Sequence, residues 1–185
     1  DLGVPVYDAD AHICEPMAVW QEYVDPKYRE LIVQVVLKPD GSDEMFIDGV
    51  GTGRSPAPAC VPGKYADPDV SWNDIVPGSH DPVERLKVMD DEGLGAALMF
   101  PSVYLIAGDV KTADVAAAGA RAYNRWMADF VQADPDRLFG MAVCPLQSVD
   151  AAVAEIEFAA EQHLTGITFR PERYNGLELY NDEMD

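Results

Sequence analysis

Four short, largely apolar segments separated by helical patterns constrain the fold of this chain more than any other feature of its sequence. They lie at residues 4–10, 96–100, 138–143 and 166–169. Strands that are apolar on both faces are typical of parallel sheets covered by helices on each side. Their alternation with helices predicts crossover connections. The sequence therefore predicts an α/β protein built on a parallel sheet.

Local capping signals mark the helices between these strands. Asp81 is a capping acid that precedes Pro82 at the first helical position, and Gly93 is placed to end the same helix. Apolar side chains at helical spacing predict a long helix over about residues 112–133, and a serine cap opens another over about 148–162.

The region between the first two strands of the sheet is an insertion. A short helical stretch at 16–28 is followed by two arms, 31–37 and 45–50, that flank a hairpin turn. The Gly- and Pro-rich section 49–79 comes next, and a loop of roughly thirty residues in a compact domain is typically a lid or a disordered insert. We therefore assign residues 31–80 as an insertion or lid region.

Composition narrows the class of partner. The chain has 33 acidic and 13 basic side chains and a formal net charge of −20, which argues against nucleic acid and against an anionic membrane surface. An anionic small-molecule substrate is still compatible, because a bound metal can invert the local field. The three cysteines are an odd number without close spacing, so reduced thiols are expected rather than a disulfide framework.

The chain shows no targeting feature. No apolar run approaches the ~18 residues needed to span a bilayer, and the N-terminus lacks the basic and apolar regions of a signal peptide. We expect a cytoplasmic protein that is not attached to a membrane.

The end of the first strand carries the best candidate for chemistry. If the strand continues to His12, alternation places Asp8, Asp10 and His12 on one face. A carboxylate and an imidazole side by side suit Zn²⁺, Mn²⁺ or Fe²⁺. Alone, this triplet is more often structural or solvated than a ligand pair. Its place at the carboxyl end of a strand makes Asp10 and His12 candidate metal ligands.

Several other residues are candidates for supporting roles, each with a structural alternative. Asp8 is a candidate hydrogen-bond acceptor for His12 or the backbone, or else an ion-pair partner. Glu15 is a candidate for orienting its loop or contacting substrate, or else for capping the next helix. His80, beside the long loop, is a candidate for contacting substrate or closing a lid.

Three further candidates follow later strands. Arg170 ends the fourth apolar segment, where its guanidinium could hold a carboxylate or pair with one of the many acids. Ser102 and Tyr104 follow the second segment and are expected to line the same mouth.

Taken in order along the chain, five motifs resemble those of the amidohydrolase-related metal enzymes, in the branch of aminocarboxymuconate semialdehyde decarboxylase and the hydroxybenzoate decarboxylases. The motifs are Asp8-Ala9-Asp10-Ala11-His12-Ile13-Cys14-Glu15-Pro16, Asp81-Pro82 with Arg85-Leu86 and Met89-Asp90, Phe100-Pro101-Ser102, Tyr123-Asn124 with Asp134-Pro135-Asp136-Arg137-Leu138, and Cys144-Pro145-Leu146-Gln147-Ser148.

The resemblance implies a TIM-type (β/α)8 barrel, of which residues 1–185 supply about the first four βα units. The sequence itself predicts that residues 180–185 begin another helix. It implies that Asp10 and His12 occupy the positions of the first two metal ligands. The remaining ligands and the general base are then expected beyond residue 185. The chain would be the N-terminal half of a single barrel domain, with the C-terminal half as a partner in the same or a separate chain, and a homo-oligomer is expected.

The resemblance leaves the reaction open. The preferred expectation is a metal-dependent hydrolase in which metal-activated water, most readily on Zn²⁺, attacks a small amide, ester or lactone. The alternative is non-oxidative decarboxylation of a small aromatic carboxylic acid, which makes the enzyme a carbon–carbon lyase. From another class, the chain could be a non-catalytic or complementing half-barrel. A flavodoxin-like phosphate binder is disfavoured, because no Gly-rich loop follows the first strand.

Overall fold

A computed structural model describes residues 4–65, 67, 69–176 and 180 of the chain. The strands are β1 (Val6–Ile13), β2 (Val33–Leu37), β3 (Asp43–Ile47), β4 (Val50–Gly51), β5 (Leu94–Pro101), β6 (Leu138–Val143) and β7 (Gly166–Thr168). The α-helices are α1 (Val19–Glu22), α2 (Ala57–Cys60), α3 (Pro82–Glu92), α4 (Ala113–Val131) and α5 (Val149–Glu161). Short 3₁₀ helices occur at Pro26–Tyr28, Trp72–Asp74, Pro77–Ser79 and Tyr104–Asp109.

The main sheet is parallel and has the strand order β1-β5-β6-β7. Each strand returns beside the previous one through α3, α4 or α5, as expected of repeated βαβ units. The parallel α/β prediction is therefore confirmed. The helix predicted at residues 180–185 lies outside the described residues, apart from Tyr180.

The predicted capping signals form as expected. The Asp81 side chain accepts hydrogen bonds from the backbone N–H groups of Val83 and Glu84, both at 2.9 Å. Gly93 ends α3 in the left-handed region at φ 73°, which costs glycine little because it has no Cβ. Ser148 caps α5 through a bond from Ala151 N–H.

The two faces of the main sheet differ. Met99 and Ala142 are fully buried on the face that packs against α4. This contact is close at Gly140, where an added Cβ would lie 2.5 Å from the Met127 side chain. The opposite face is more open: Leu98 pairs with Phe139, which is 37% exposed. In this half-barrel arrangement the open face corresponds to the barrel interior.

A buried polar network joins α4, α5 and β6. The Asn124 amide donates to the carbonyl of Val143 at 3.0 Å and to Glu155 at 2.8 Å, and its oxygen accepts from Val143 N–H at 2.8 Å. Glu155 also forms an ion pair with Arg121. Because a buried carboxylate is costly without partners, this network fixes the two helices to the strand between them.

The insertion folds onto the main sheet. Strands β2, β3 and β4 form a small antiparallel sheet, which confirms the predicted hairpin. The rest of the insertion is not structureless, since it contains α2 and two of the 3₁₀ helices. Cys14 N–H donates to Ser79 O at 2.7 Å, which ties the insertion to the chain just after β1. Within the insertion, Trp72 N–H donates to buried Asp43 at 2.6 Å. Among the described residues, no helix is long and apolar enough to cross a membrane.

A bulge in β1 changes the predicted alternation. Asp8 pairs with Ala97 and Ala11 with Met99, so β1 takes three steps where β5 takes two. Ala97 and Met99 are buried in the core beneath the helices. Paired residues of parallel strands share a face, so Asp8 lies on the helix-covered face. The prediction that Asp8 shares a face with His12 is wrong, because the bulge inserts one residue between them.

Candidate functional site

His12 lies at the carboxyl end of β1 and is held in one orientation. It pairs with Phe100 on the open face of the sheet, and its side chain is exposed. Its Nδ1 is 2.9 Å from the carbonyl oxygen of Pro101 and 3.3 Å from Ser102 Oγ. A carbonyl can only accept, so Nδ1 carries the proton in this contact, and in the neutral imidazole the lone pair is then on Nε2. Metal-binding histidines are commonly oriented in this way.

Asp10 is a second unengaged donor near His12. Exposure alternates along the end of β1: Asp10 and His12 are exposed, while Ala11 and Ile13 are buried. This pattern places Asp10 and His12 on the same face of the strand. Within the described ranges, no hydrogen bond or ion pair reaches the Asp10 carboxylate.

The donor set fits part of a divalent metal site. An imidazole with a free Nε2 and an unpaired carboxylate suit Zn²⁺, Mn²⁺ or Fe²⁺. No group of three or more His, Cys, Asp or Glu side chains that could hold a metal occurs in the part of the chain that the structure describes. These residues therefore supply two ligands, and a complete site needs others.

Asp8 supports the backbone rather than the imidazole. Its Oδ1 accepts a hydrogen bond from Asp10 N–H at 3.0 Å, so of its predicted roles, backbone hydrogen bonding is the one observed. Its charge also acts on Arg85: burial lowers the pKa of Arg85, and the negative charges of Asp8 and Glu92 oppose that shift.

Glu15 is completely buried and fixes the loop that follows β5. Its carboxylate accepts hydrogen bonds from three successive backbone N–H groups, those of Ser102 at 3.2 Å, Val103 at 2.8 Å and Tyr104 at 2.9 Å. Burial raises the pKa of Glu15, and these hydrogen bonds oppose the rise. The alternative prediction, that Glu15 caps the next helix, is wrong because no side chain caps α1.

A cleft of about 310 Å³ opens beside His12 and is called the His12 cleft here. Its lining combines the end of β1, the insertion and α3. It contains His12, Ile13, Cys14, Pro58, Ala59, Cys60, Val61, Pro62, Gly63, Tyr65, Val76, Gly78, Ser79, Arg85, Val88 and Ser102. The predicted lid region thus contributes one wall, and most of the lining is apolar.

Arg85 also lines this cleft. It belongs to one of the five sequence motifs, but the sequence predicted no role for it. Its Nη2 donates to the carbonyl oxygen of His12 at 2.5 Å. Its Nε is buried and has no hydrogen-bond partner among the residues that the structure places. The sequence feature that could have predicted this contact is the position of Arg85 one turn after the Asp81 cap, on a helix that must pack against the strand carrying His12.

A second cleft, of about 490 Å³, adjoins the first and is called the Arg54–Arg170 cleft. It shares Pro58, Ala59, Tyr65 and Ser102 with the His12 cleft. Arg170 lies just after β7, as predicted, and is 3.6 Å from Glu172. Ser102 borders both clefts, which agrees with its predicted place at the mouth.

Two other predicted residues lie elsewhere. The Tyr104 side chain is 1% exposed, and its hydroxyl donates to Ala116 O in α4 at 3.2 Å. The Tyr104 side chain therefore lines neither of the two clefts, but borders with Arg170 a small cavity of about 10 Å³ at the ends of the strands. His80 ends the 3₁₀ helix Pro77–Ser79 and lines neither cleft.

Comparison with known proteins identifies the family. A family model described as Amidohydrolase matches residues 7–183, and the chain belongs to that family. The search of curated proteins found no match.

Solved structures share the fold. A crystal structure of an amidohydrolase from Mycobacterium avium subsp. paratuberculosis K-10 is 19% identical at a TM-score of 0.78, over 99% of this chain and 54% of that one. The 5-carboxyvanillate decarboxylase of Novosphingobium aromaticivorans DSM 12444, complexed with manganese and 4-hydroxy-3-methoxy-5-nitrobenzoic acid, is 18% identical at 0.62, over 98% and 46%. The dihydroxybenzoic acid decarboxylase of Polaromonas sp. JS666, with manganese and 2-nitroresorcinol, is 16% identical at 0.52, over 90% and 39%.

These comparisons confirm the partial-barrel prediction. The chain spans about half the length of the solved relatives it matches, or less. Both of the manganese-bound relatives named above are decarboxylases. The family match supports the expectation that the chain belongs to an enzyme family.

Proposed function

We propose that this chain is the N-terminal half of a metal-dependent decarboxylase barrel that acts on a small aromatic carboxylic acid. The observation that carries the proposal is the state of His12: Pro101 holds its Nδ1, leaving Nε2 free beside the unengaged Asp10 carboxylate. The manganese-bound decarboxylases of similar fold support Mn²⁺ as strongly as Zn²⁺. The remaining ligands come from outside the described residues.

The proposed roles of Asp10 and His12 follow from the atoms with which each can bind a cation. Asp10 and His12 Nε2 would bind the cation, which would act as a Lewis acid for the substrate's carboxylate and adjacent oxygen. Pro101 keeps the imidazole in the required tautomer, and Glu15 keeps Pro101 and Ser102 in place by holding the loop after β5. A ligand positioned in this way loses little freedom when the cation binds.

The His12 cleft fits the body of an aromatic substrate. Its apolar walls from the insertion and from Ile13 exclude water around a planar ring, and the half-buried guanidinium of Arg85 provides positive charge on one side. Loss of CO₂ from a carboxylate is aided when the carboxylate leaves water for such a site. We assign residues 31–80 as the segment that closes this cleft.

Metal content of the complete protein tests the proposal. His12→Ala and Asp10→Asn should each lower bound Mn²⁺ by at least about tenfold, because each removes one of few ligands. His80→Ala is the matched control, since His80 lines neither cleft, and it should keep the metal. Far-UV circular dichroism should be unchanged in all three. Metal occupancy that is unchanged in both ligand variants would show that the site is assigned wrongly.

Substrate assays separate the reactions. The Mn²⁺-loaded protein should release CO₂ from hydroxybenzoates that carry a hydroxyl beside the carboxylate, and His12→Ala should abolish the release. Turnover of esters, amides or lactones without CO₂ release would instead support the hydrolase alternative. Metal binding with neither activity would favour a complementing, non-catalytic half-barrel.

A further inference from the structure

Two buried cysteines meet in the wall of the His12 cleft. Cys14 follows β1 and is 1% exposed, whereas Cys60 ends α2 of the insertion and is 6% exposed. Both are free thiols, and both line this cleft. The cleft wall therefore contains one thiol from the segment just after His12 and one from the predicted lid region.

Direct contacts hold the two cysteines together. Cys14 N–H donates to Ser79 O at 2.7 Å, and the Ser79 hydroxyl donates to Cys60 O at 3.3 Å. Ser79 is itself buried, so one residue of the insertion bridges the two cysteine backbones. The thiols also form a hydrogen bond with each other, and this bond, followed by burial, raises the pKa of Cys14. Buried, protonated thiols react slowly, so we expect the reduced pair to persist until a small oxidant reaches it.

The gap that the two sulfur atoms must close is small. A disulfide has an S–S length of roughly 2.05 Å, so thiols already in hydrogen-bond contact must approach by about an ångström or two. Cys60 is the last residue of a one-turn helix, Ala57–Cys60, and the next residue, Val61, is extended. A helix this short has little stability of its own, so Cys60 can shift towards Cys14 without disturbing the main sheet.

A disulfide fits this pair better than a structural metal does. Zinc in structural sites takes four ligands, commonly cysteine and histidine. Among the residues with described positions, no third histidine, cysteine, aspartate or glutamate joins the pair in a group that could hold a metal. Two thiols alone are complete for disulfide chemistry. The cleft, with a volume of about 310 Å³, admits an oxidant as small as hydrogen peroxide.

We propose that Cys14 and Cys60 form a redox-sensitive pair, which hydrogen peroxide converts to a disulfide that fixes α2 of the insertion to the chain just after β1. The sulfur of Cys60, the more exposed of the two, attacks one peroxide oxygen; the O–O bond breaks, and a sulfenic acid and water form. The Cys14 sulfur then attacks the Cys60 sulfur, the S–O bond breaks, and the oxygen leaves as a second water. In total the thiols lose two protons and two electrons, and peroxide is reduced to water.

The position of the two ends gives this bond its effect on the cleft. Cys14 lies two residues after His12, and Cys60 belongs to the segment that we assign to close the cleft. A covalent link between them suppresses local opening of the insertion away from β1. The consequence for substrate entry rests on the proposed function, whereas the formation of the bond does not.

Peptide mapping of the complete protein tests the bond. After treatment with hydrogen peroxide and blocking of the remaining thiols, mass spectrometry of the wild type should find a peptide pair joined through Cys14 and Cys60, which separates on reduction with dithiothreitol. Cys60→Ala should lack this pair. Cys144→Ala is the matched control and should keep it, because Cys144 is also buried and free but lines a different, smaller cavity.

Limited digestion with trypsin measures the fixing of the insertion. Lys64 follows Cys60 closely, and its side chain is 53% exposed. Oxidation of the wild type should slow cleavage after Lys64 by at least about tenfold, because a disulfide that closes a long loop opposes local opening. Cys60→Ala should be cleaved at the same rate with and without peroxide.

The outcomes separate this inference from the proposed function. Recovery of Cys14 and Cys60 as free thiols or sulfinic acids, without the joined peptides, would overturn the redox pair. A disulfide that leaves cleavage after Lys64 unchanged would overturn the fixing of the insertion. Both measurements are independent of Mn²⁺ binding and CO₂ release, so they stand if the decarboxylase proposal fails. If the disulfide fixes the insertion but CO₂ release is unchanged, residues 31–80 do not close the cleft.

Discussion

Replacing Glu15 with glutamine tests whether one buried carboxylate fixes the loop that carries Ser102 to His12. In the wild type, Glu15 Oε2 accepts from Ser102 and Val103 N–H, and Oε1 accepts from Tyr104 N–H. Glutamine has nearly the same shape but only one accepting oxygen, and its amide group faces an N–H group that also donates.

The expected cost follows from this mismatch. At most two of the three N–H groups keep an acceptor in Glu15→Gln, and a buried donor without a partner costs about 1–3 kcal/mol. Removing a buried charge recovers part of that cost, because the carboxylate no longer has to be desolvated. We expect a net loss of about 1–2 kcal/mol in the free energy of unfolding. A looser Pro101–Ser102 segment should also weaken metal binding through His12.

Denaturant unfolding and a Mn²⁺ titration measure both effects in the complete protein. Glu30→Gln makes the same chemical change at an exposed position and should alter neither quantity. If Glu15→Gln unfolds within about 0.3 kcal/mol of the wild type, the three hydrogen bonds do not stabilise the loop and the reasoning is refuted. A destabilised variant with unchanged metal affinity would refute only the link from this loop to His12.

Two further predictions concern the buried polar side chains Asn124 and Glu15. Asn124→Ala removes three hydrogen bonds and leaves Glu155 and Val143 N–H short of partners. We therefore expect the free energy of unfolding, measured with denaturant, to fall by about 2–4 kcal/mol, whereas the exposed control Asn73→Ala should cost little. A loss below about 1 kcal/mol would contradict a stabilising role of this network. Burial raises the pKa of Glu15 above its usual 4.5, so the folded state binds this proton more tightly than the unfolded state does. The stability that Glu15 contributes should then be greatest below about pH 4.5 and fall as the pH rises through the raised pKa. The difference in free energy of unfolding between wild type and Glu15→Gln, measured from about pH 4 to 8, should follow this trend, and a constant difference would argue against it.

The fold was largely predictable because its signals are local. The helix starts at Asp81 and Ser148 are each determined by three or four adjacent residues, and both caps form in the structure. Apolar runs located β5, β6 and β7 to within two residues, since a strand covered on both sides needs little else. Helix α1 was predicted too long, because residues 16–28 contain the short helix Val19–Glu22 and a separate 3₁₀ helix that Asp25 caps and Pro26 opens.

The site was less predictable because its key contacts join distant segments. Asp8 was misplaced because a bulge depends on pairing with β5, which alternation within β1 cannot reveal. The three donors to Glu15 lie 87 to 89 residues away, and Arg85 reaches His12 across 73. Motif order indicated that these segments meet, but not which atoms touch.

The net charge of −20 and an anionic substrate are compatible once charge is considered at the scale of a binding site. Exposed charges farther apart than about 8 Å are largely screened at physiological salt, so a ligand in the cleft responds mainly to its immediate walls. Those walls hold Arg85 in the His12 cleft and Arg54 and Arg170 in its neighbour. Three of the 13 basic residues of the chain thus lie in two adjoining clefts whose lining, among the described residues, contains no carboxylate. A divalent cation at Asp10 and His12 would add to the same local field, so a composition that argues against polyanionic partners is still compatible with a small carboxylate ligand.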